Sequence, residues 1–148
     1  MKRTVFMIIP ILICGIVFTD CGKSEFENKS DDLIEIEDGT YSGTFTVKYN
    51  YLVDLHSFSA TTTLELKNGK YTCTGNSNRI PAGGSGNYSV NDSTIIFSDM
   101  NYWTCEFDHN LILNGEYYYI FDGKRLKFSK ERCEEYVVNN YEYDLERE

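Results

Sequence analysis

The chain has 148 residues, and its 14 Lys and Arg stand against 23 Asp and Glu, a formal net charge of -9 at pH 7. This acidic balance disfavours nucleic acid as a partner, because neutralising phosphates requires a cationic surface. Twelve Tyr and nine Phe accompany only two Ala, so residues that suit pleated strands are abundant and the best helix former is scarce. The composition therefore excludes a helical bundle or a coiled coil and favours a single all-β domain.

The N-terminus has the pattern of an export signal. Two basic residues precede an apolar stretch from Val5 to Phe18, which is long enough for a signal-peptide core and too short to span a bilayer. The next residues end in Cys21, and this segment resembles the lipobox of bacterial lipoproteins, in which the Cys becomes the acylated first residue. Asp20 stands where that family usually has a small residue. We therefore expect residues 1–20 to be a lipoprotein signal peptide; an ordinary signal peptidase site is the alternative.

Acylation at Cys21 predicts a lipid anchor, for example through palmitate, in place of a spanning helix. Residue 22 is not the Asp that resembles an inner-membrane retention signal, so we expect a location in the cell envelope at the outer membrane, on its periplasmic or its surface face. Residues 21–38 are polar and acidic, which is typical of a tether. The short apolar run at 33–36 could alternatively dock on the domain as an extra strand.

From Gly39 to the C-terminus, apolar and polar residues alternate between short turns, which predicts about eight antiparallel strands in a domain of residues 39–148. The turn at residues 68–69 pairs Leu66 with Tyr71. The turn at residues 122–123, treated in the same way, pairs Phe121 with Lys124.

Consecutive hairpins with one apolar face leave two open edges, and pairing the last strand with the first removes both. We therefore expect a closed antiparallel up-and-down β-barrel. A two-sheet β-sandwich is the alternative, because it also uses short alternating strands.

The domain resembles a known family in several segments. These are DGTYSG at residues 38–43, YWT at 102–104, LILNGEY at 111–117 and FDGK at 121–124, together with the signal that ends at Cys21. They look like small lipocalin-like lipoproteins of the Bacteroidetes. The resemblance implies a lipocalin-like barrel at the cell envelope, and its motifs are mainly turns and core positions, which carry little information on activity.

Three cysteines follow Cys21, so at most one internal disulfide can form among them. Extending the pairing of Phe121 with Lys124 along the hairpin places Cys133 opposite Ile112, near the loop that carries Cys105. We therefore expect a disulfide between Cys105 and Cys133 and a buried thiol at Cys73.

Four tyrosines are predicted to point into the barrel and to form the ligand-binding set: Tyr71, Tyr88, Tyr117 and Tyr119. Eight strands enclose an interior that side chains just fill or that holds one small ligand. Our first hypothesis is a membrane-anchored protein that binds a small amphipathic or aromatic ligand in the lumen. The alternative is a packed barrel without a ligand cavity that acts through protein–protein interaction. Trp103 is expected to plug one end of the barrel.

No motif indicates catalysis. His56 and His109 lack the paired spacing of zinc ligands, and nothing groups either of them with a nucleophile. The glycine-rich segment at residues 75–86 lacks the Lys-Ser/Thr pair of a phosphate-binding loop and is expected to be a mobile loop. We therefore expect a protein with no catalytic residues, no metal site and no cofactor.

Overall fold

Eight antiparallel strands form a closed barrel in chain order, and β8 pairs with β1. The structure, a computed structural model, describes residues 35–51, 54–134 and 137–148. The strands are β1 (Gly39–Tyr51), β2 (Asp54–Lys67), β3 (Lys70–Cys73), β4 (Gly84–Val90), β5 (Thr94–Asp99), β6 (Gly115–Phe121), β7 (Arg125–Glu134) and β8 (Val137–Arg147). The predicted up-and-down barrel is therefore confirmed, and the alternative sandwich is not formed.

The alternation of side chains explains why these segments become strands. In β8, Tyr141, Tyr143 and Leu145 are buried, and the polar residues between them face outward. Successive side chains of a strand point to opposite faces, so a barrel that buries one face selects this pattern. In β1, Tyr41 and Phe45 occupy the equivalent buried positions.

The hairpin between β2 and β3 has the predicted register. Leu66 pairs with Tyr71, and the turn residues Asn68 and Gly69 both have positive φ angles, of 50° and 72°. A two-residue turn of this kind requires left-handed backbone at both positions, which Asn and Gly tolerate best. The local sequence therefore determines this register.

The hairpin between β6 and β7 differs from the prediction by two residues. Phe121 pairs with Leu126 rather than with Lys124. The Asp122 carboxylate accepts hydrogen bonds from the backbone N–H groups of Lys124 and Arg125, at 2.9 and 2.7 Å. An aspartate that bonds the backbone two or three residues further on stabilises a longer turn. Because the shift is an even number of residues, both strands keep the predicted buried face.

The barrel has two different ends. The chain enters at Gly39 and leaves at Arg147 at one end, which we call the entry end and which also holds the turns between β2 and β3, β4 and β5, and β6 and β7. We call the opposite end the loop end. It carries the two longest described connections, residues 74–83 and 100–114.

The residues that precede β1 cover the entry end. Ile36 belongs to the buried core without forming a strand. The Tyr41 hydroxyl donates to the Glu37 carbonyl oxygen at 2.6 Å, and Arg147 forms an ion pair with the Glu37 carboxylate and donates to the Asp38 carbonyl oxygen. The last residues of the segment expected to be a tether therefore pack against the barrel.

The two long loops close the loop end by pairing with each other. Leu113 N–H donates to the Gly83 carbonyl oxygen at 2.8 Å, and Leu111 and Leu113 are buried in the core. Loop 74–83 is itself held by internal bonds, since its Asn76 side chain bonds both the N–H and the carbonyl oxygen of residue 80. This segment is thus a hydrogen-bonded turn, and the mobility expected for residues 75–86 stays a prediction.

Trp103 does not plug the barrel. Its side chain is partly exposed and lies outside the core, with its indole N–H donating to Asp99 Oδ2 at 2.6 Å and its ring 5.7 Å from the ring of Phe107. The apolar residues of the run at 111–113 fill the position that we assigned to it. The indole N–H of a Trp needs a hydrogen-bond partner, and at the surface Asp99 supplies one. Leucine side chains carry no polar atom, so they can be buried without such a partner.

Candidate functional site

Two of the four predicted ligand-binding tyrosines lie in the centre of the barrel. Tyr71 and Tyr117 are 2% and 1% exposed, and both pack edge-on against Phe97, with ring centroids 4.9 and 5.8 Å from it. The Tyr71 hydroxyl donates to the Leu113 carbonyl oxygen at 2.5 Å, which links β3 to the second long loop. Burial raises the pKa of both phenols. Both tyrosines are therefore neutral core residues.

Aromatic rings occupy the middle of the barrel. Phe128 stacks on Tyr143 with centroids 4.5 Å apart, and it also lies 5.4 Å from the rings of Phe97 and Tyr117. Phe45 adds a contact of 4.7 Å to Tyr143. Such centroid separations are those of directly packed aromatic pairs. A ligand in this part of the lumen would have to displace these rings.

The other two predicted tyrosines lie toward the entry end and are half-buried. The Tyr88 hydroxyl donates to Asp38 Oδ1 at 3.3 Å, and the Tyr119 hydroxyl donates to the Asn91 carbonyl oxygen at 3.4 Å. Tyr88 still reaches the central rings, with its centroid 6.4 Å from that of Phe97. The structure thus brings Tyr71, Tyr88 and Tyr117 around the ring of Phe97, whereas Tyr119 is held by its hydrogen bond to Asn91.

Several concavities lie on the outside of the barrel wall. One of about 400 Å³ is lined mainly by outward residues of β3 and β4 together with Met100. Another, of about 280 Å³, adjoins Tyr118 and Ile120 of β6, whose side chains are largely exposed. Both are open to solvent, and the lining of each includes an inward side chain, Tyr71 in the first and Phe128 in the second.

The predicted disulfide is not formed in this structure. Cys105 and Cys133 are both free, exposed thiols. The buried side chains of β7 are those of Leu126, Phe128 and Lys130, so Cys133, an odd number of residues away, belongs to the outward set. The two-residue register shift also moves Cys133 away from the position opposite Ile112. The register from which the pairing was inferred therefore differs in the structure, and the disulfide between Cys105 and Cys133 stays a prediction.

Cys73 is buried, as expected. Thr62 Oγ1 lies 3.4 Å from its sulfur, and burial raises the pKa of the thiol to about 11. A thiol with such a pKa is protonated at neutral pH, and the protonated form is a poor nucleophile. This cysteine therefore acts as a small core residue.

In the part of the chain that the structure describes, no group of three or more His, Cys, Asp or Glu side chains is placed to hold a metal. His109 lies in the 3-10 turn of the second long loop, where its Nε2 is 3.0 Å from the Thr104 carbonyl oxygen and its ring stacks near Phe107. His56 is exposed on β2. His109 thus helps to hold its own loop.

A polar cluster at the loop end was not predicted. Lys130 points inward from β7 and is 7% exposed, and its Nζ donates to the Asn114 carbonyl oxygen at 2.9 Å. The ammonium lies 4.6 Å from the ring centroid of Tyr117 and 5.5 Å from that of Tyr141. Burial, assisted by the positive charge of Arg132, lowers the pKa of Lys130 to about 8. A buried cation is costly unless such contacts compensate its lost hydration.

Asp108 joins this cluster from the second long loop. Its Oδ2 accepts hydrogen bonds from the hydroxyls of Tyr49 and Tyr141, at 3.3 and 3.2 Å. Its Oδ1 accepts from the backbone and side chain of Asn110. Since Tyr49 and Tyr141 belong to β1 and β8, this carboxylate fastens the loop to two strands.

Three buried side-chain oxygens have no partner within ordinary hydrogen-bond geometry among the described residues. They are Oδ1 of Asn139, Oδ1 of Asn140 and the Tyr117 hydroxyl, although the Asn114 backbone acts on the pKa of this phenol. Buried polar groups are nearly always paired, so each such atom needs an explanation. The alternation of β7 could have revealed this cluster, because the inward period of Leu126 and Phe128 includes residue 130.

Several exposed apolar side chains lie at the loop end, and others, Tyr118 and Ile120, lie on β6. The most exposed is Tyr102, which lies fully in solvent, and Met100 of the same loop is 70% exposed. Leu55 of β2 and Val138 of β8 are also exposed, and both pair with Asn50 of β1, so they lie in one row across three strands. Exposed apolar side chains are a common feature of contact sites.

Cys21 and the predicted signal peptide lie outside the described residues. Among the described residues, no helix has the length and apolar character needed to cross a membrane. No family model, no curated protein and no solved structure matches the chain.

Proposed function

We propose that the protein is a membrane-anchored lipoprotein whose packed β-barrel acts through protein–protein contacts at its loop end. The observation that carries the proposal is the ring cluster around Phe97, Phe128 and Tyr143, which fills the part of the lumen where a lipocalin-like ligand would sit. A barrel with a filled interior must present its specificity on its surface. The exposed apolar residues of the loop end are the surface that fits this role.

The anchor is the second part of the proposal. The apolar segment that ends at Cys21 resembles a lipoprotein signal, and acyl chains contribute about 0.8 kcal/mol for each buried methylene, so two or three chains hold a protein on a membrane. Replacing Cys21 with Ser should abolish incorporation of labelled palmitate and release the protein from the membrane fraction. Equal labelling and retention in the two proteins would contradict the anchor.

Site-specific photo-crosslinking tests the contact surface. A photoreactive residue at Tyr102 or Leu55 should give discrete adducts in intact envelopes. The matched control is Ile120 of β6, whose exposure lies between those of Leu55 and Tyr102. Adducts from Ile120 alone, or the same adducts from all three positions, would contradict a contact site at the loop end.

Binding of a small amphipathic or aromatic ligand in the lumen remains the competing proposal. A thermal-shift screen separates the two, because a ligand that binds only the folded protein raises its Tm. A saturable Tm increase that is lost in Tyr71→Phe or Tyr117→Phe would favour a lumen ligand. If packed rings fill the lumen, no compound should raise the Tm by binding there.

A further inference from the structure

Strand β2 extends well beyond its neighbour β3. Residues 54–66 of β2 pair with β1, whereas β3 has four residues and pairs only with residues 64–67. Toward the loop end, Thr63 continues the β3 side of the strand by bonding Thr74. Beyond this contact, residues 55–61 pair with no strand other than β1 in the part of the chain that the structure describes. We call residues 55–61 the β2 overhang.

The hydrogen bonds of Thr63 identify the backbone groups at the open edge. Its N–H donates to Thr74 Oγ1 at 2.8 Å, and its carbonyl oxygen accepts from Thr74 N–H at 2.9 Å, both on the side away from β1. Alternate residues of an antiparallel strand direct their backbone groups to the same side. Four residues of the overhang therefore face the open side with N–H and C=O groups that bond no described residue. They are Leu55, Ser57, Ser59 and Thr61.

The β2 overhang lacks the features that usually protect the edge of a sheet. Exposed edges of soluble proteins carry charged residues or Pro, which block pairing with another strand. The chain has 23 acidic and 14 basic residues and two Pro, yet none of these lies between residues 55 and 64. Leu55 and Phe58 are 65% and 47% exposed. The overhang is thus an uncharged and accessible strand edge.

Strand β7 provides a contrast within the same barrel. It also extends beyond its neighbour, since its pairing with β6 ends at Ser129 and its pairing with β8 continues to Glu134. Four of the five residues at positions 130–134 are charged, two of them basic and two acidic. The extension of β7 therefore carries the usual protection, and β2 is the edge suited to pairing with another strand.

The charge distribution selects a second copy of the chain as the occupant of this edge. Two copies with a formal net charge of -9 each repel one another unless the surfaces in contact are free of acidic residues. Residues 55–64 of β2 and the adjacent residues 40–50 of β1 contain no Asp or Glu. The overhang is also self-complementary, because its four open residues are spaced evenly about Phe58.

We propose that the β2 overhang pairs in antiparallel fashion with the β2 overhang of a second copy, about a two-fold axis at Phe58. In this register Ser57 lies opposite Ser59 of the second copy, Leu55 lies opposite Thr61, and the two Phe58 residues face each other. The open backbone groups of both copies then bond one another, which is how an added strand gains affinity. Each copy uses its overhang once, so the assembly closes as a dimer.

This inference goes beyond the proposed contact role of the loop end, because it names the partner and the backbone groups that bind it. It depends neither on the lipid anchor nor on Tyr102. Failure of the dimer and failure of the contact role can therefore be distinguished.

Disulfide cross-linking in cells that express the full-length chain tests the register. In a background of Cys105→Ser and Cys133→Ser, Phe58→Cys should give a covalent dimer on oxidation. Residues opposite each other in a non-hydrogen-bonded pair have Cα atoms about 4.5 Å apart, which a disulfide can span. Leu55→Cys is the matched control, since its side chain is more exposed but the two copies of residue 55 would lie about 20 Å apart. It should give no dimer.

Sedimentation of the purified full-length chain in mild detergent at pH 7 measures the strength of the pairing. The wild type should have twice the mass of the monomer. The double variant Ser57→Glu with Ser59→Glu places like charges directly opposite each other at two positions, and it should raise the Kd of the dimer at least about tenfold. Ser57→Gln with Ser59→Gln is the uncharged control and should leave the Kd unchanged. Both positions are exposed, so both double variants should fold.

Several outcomes would overturn the proposal. These are a monomeric wild type, equal cross-linking at positions 55 and 58, and an equal effect of the Glu and the Gln variants. A disulfide from residue 58 to a different protein would also overturn it, because the edge would then have another occupant. Adducts from Tyr102 together with a monomeric wild type would refute the dimer and leave the contact role of the loop end standing.

Discussion

Tyr71 and Tyr117 have the same burial and opposite hydrogen-bond status. The Tyr71 hydroxyl donates to the Leu113 carbonyl oxygen, whereas the Tyr117 hydroxyl donates to no described residue. Tyr71→Phe should therefore lower the free energy of unfolding by about 1–3 kcal/mol, because it leaves a buried carbonyl oxygen unpaired. Tyr117→Phe should leave stability unchanged or slightly raise it. Urea unfolding of both variants checks this contrast, and equal losses would show that the Tyr117 hydroxyl has a partner in solution.

Lys130 should make stability depend on pH. Its pKa is lowered to about 8 by burial, whereas in the unfolded chain it has its usual value near 10.5. Between these values the unfolded state binds more protons, so stability should rise as pH increases from 8 toward 10.5. Below pH 8 the charge costs on the order of 3 kcal/mol, which is the full shift in the pKa.

Lys130→Met removes this titration. The variant should be more stable than the wild type at pH 7, and the difference should shrink as the pH approaches 10. Unfolding free energies of both proteins from pH 6.5 to 9.5 check this, because the core tyrosines contribute equally to the two proteins and cancel in the difference. A constant difference across the window would mean that Lys130 titrates normally or that its ammonium is already neutralised by a ligand.

Strand β1 depends on close approach to β8 at Gly43. A Cβ at this position would lie 2.1 Å from the Asp144 carbonyl oxygen and 2.9 Å from Leu145 Cα. Both are backbone atoms, so Gly43→Ala would push the two strands apart rather than rotate a side chain. We expect a loss of about 3 kcal/mol, at the upper end of overpacking costs. Thr44→Ala, at the adjacent exposed position, is the control and should change the Tm little; similar Tm values for both variants would contradict this account.

The strands themselves could be predicted from local pattern, because alternation and turn residues act over a few residues. The β2–β3 register followed from Asn68 and Gly69. The β6–β7 register did not follow from the sequence. The two-residue turn predicted at Asp122 and Gly123 competes with a longer turn, which the Asp122 side chain stabilises. The inward position of Lys130 could be predicted from the alternation of β7, but its partners could not, because they come from other elements, such as Asn114.

At the scale of the whole molecule, the aromatic composition predicted a barrel interior rich in rings, but it could not say whether these rings enclose a cavity. That outcome depends on how rings from β1, β5, β7 and β8 pack together, which involves residues as far apart as Phe45 and Tyr143.

The closed topology affects unfolding, since each strand pairs with two neighbours and no terminal strand can separate alone. We therefore expect the barrel to unfold as one unit.

The thiols test this cooperativity. Cys105 and Cys133 are exposed and should react with a bulky maleimide in the folded protein, whereas Cys73 is buried in the core and has a raised pKa. If the barrel opens only as a whole, labelling of Cys73 should be slowed by a factor equal to the global folding equilibrium constant. The dependence of the Cys73 labelling rate on urea should then match the global m-value.

Peptide mapping after timed labelling gives the rate at each cysteine. Fast labelling of Cys73 with little urea dependence would indicate local opening of β3, and protection of both Cys105 and Cys133 without reductant would restore the disulfide that the sequence had suggested.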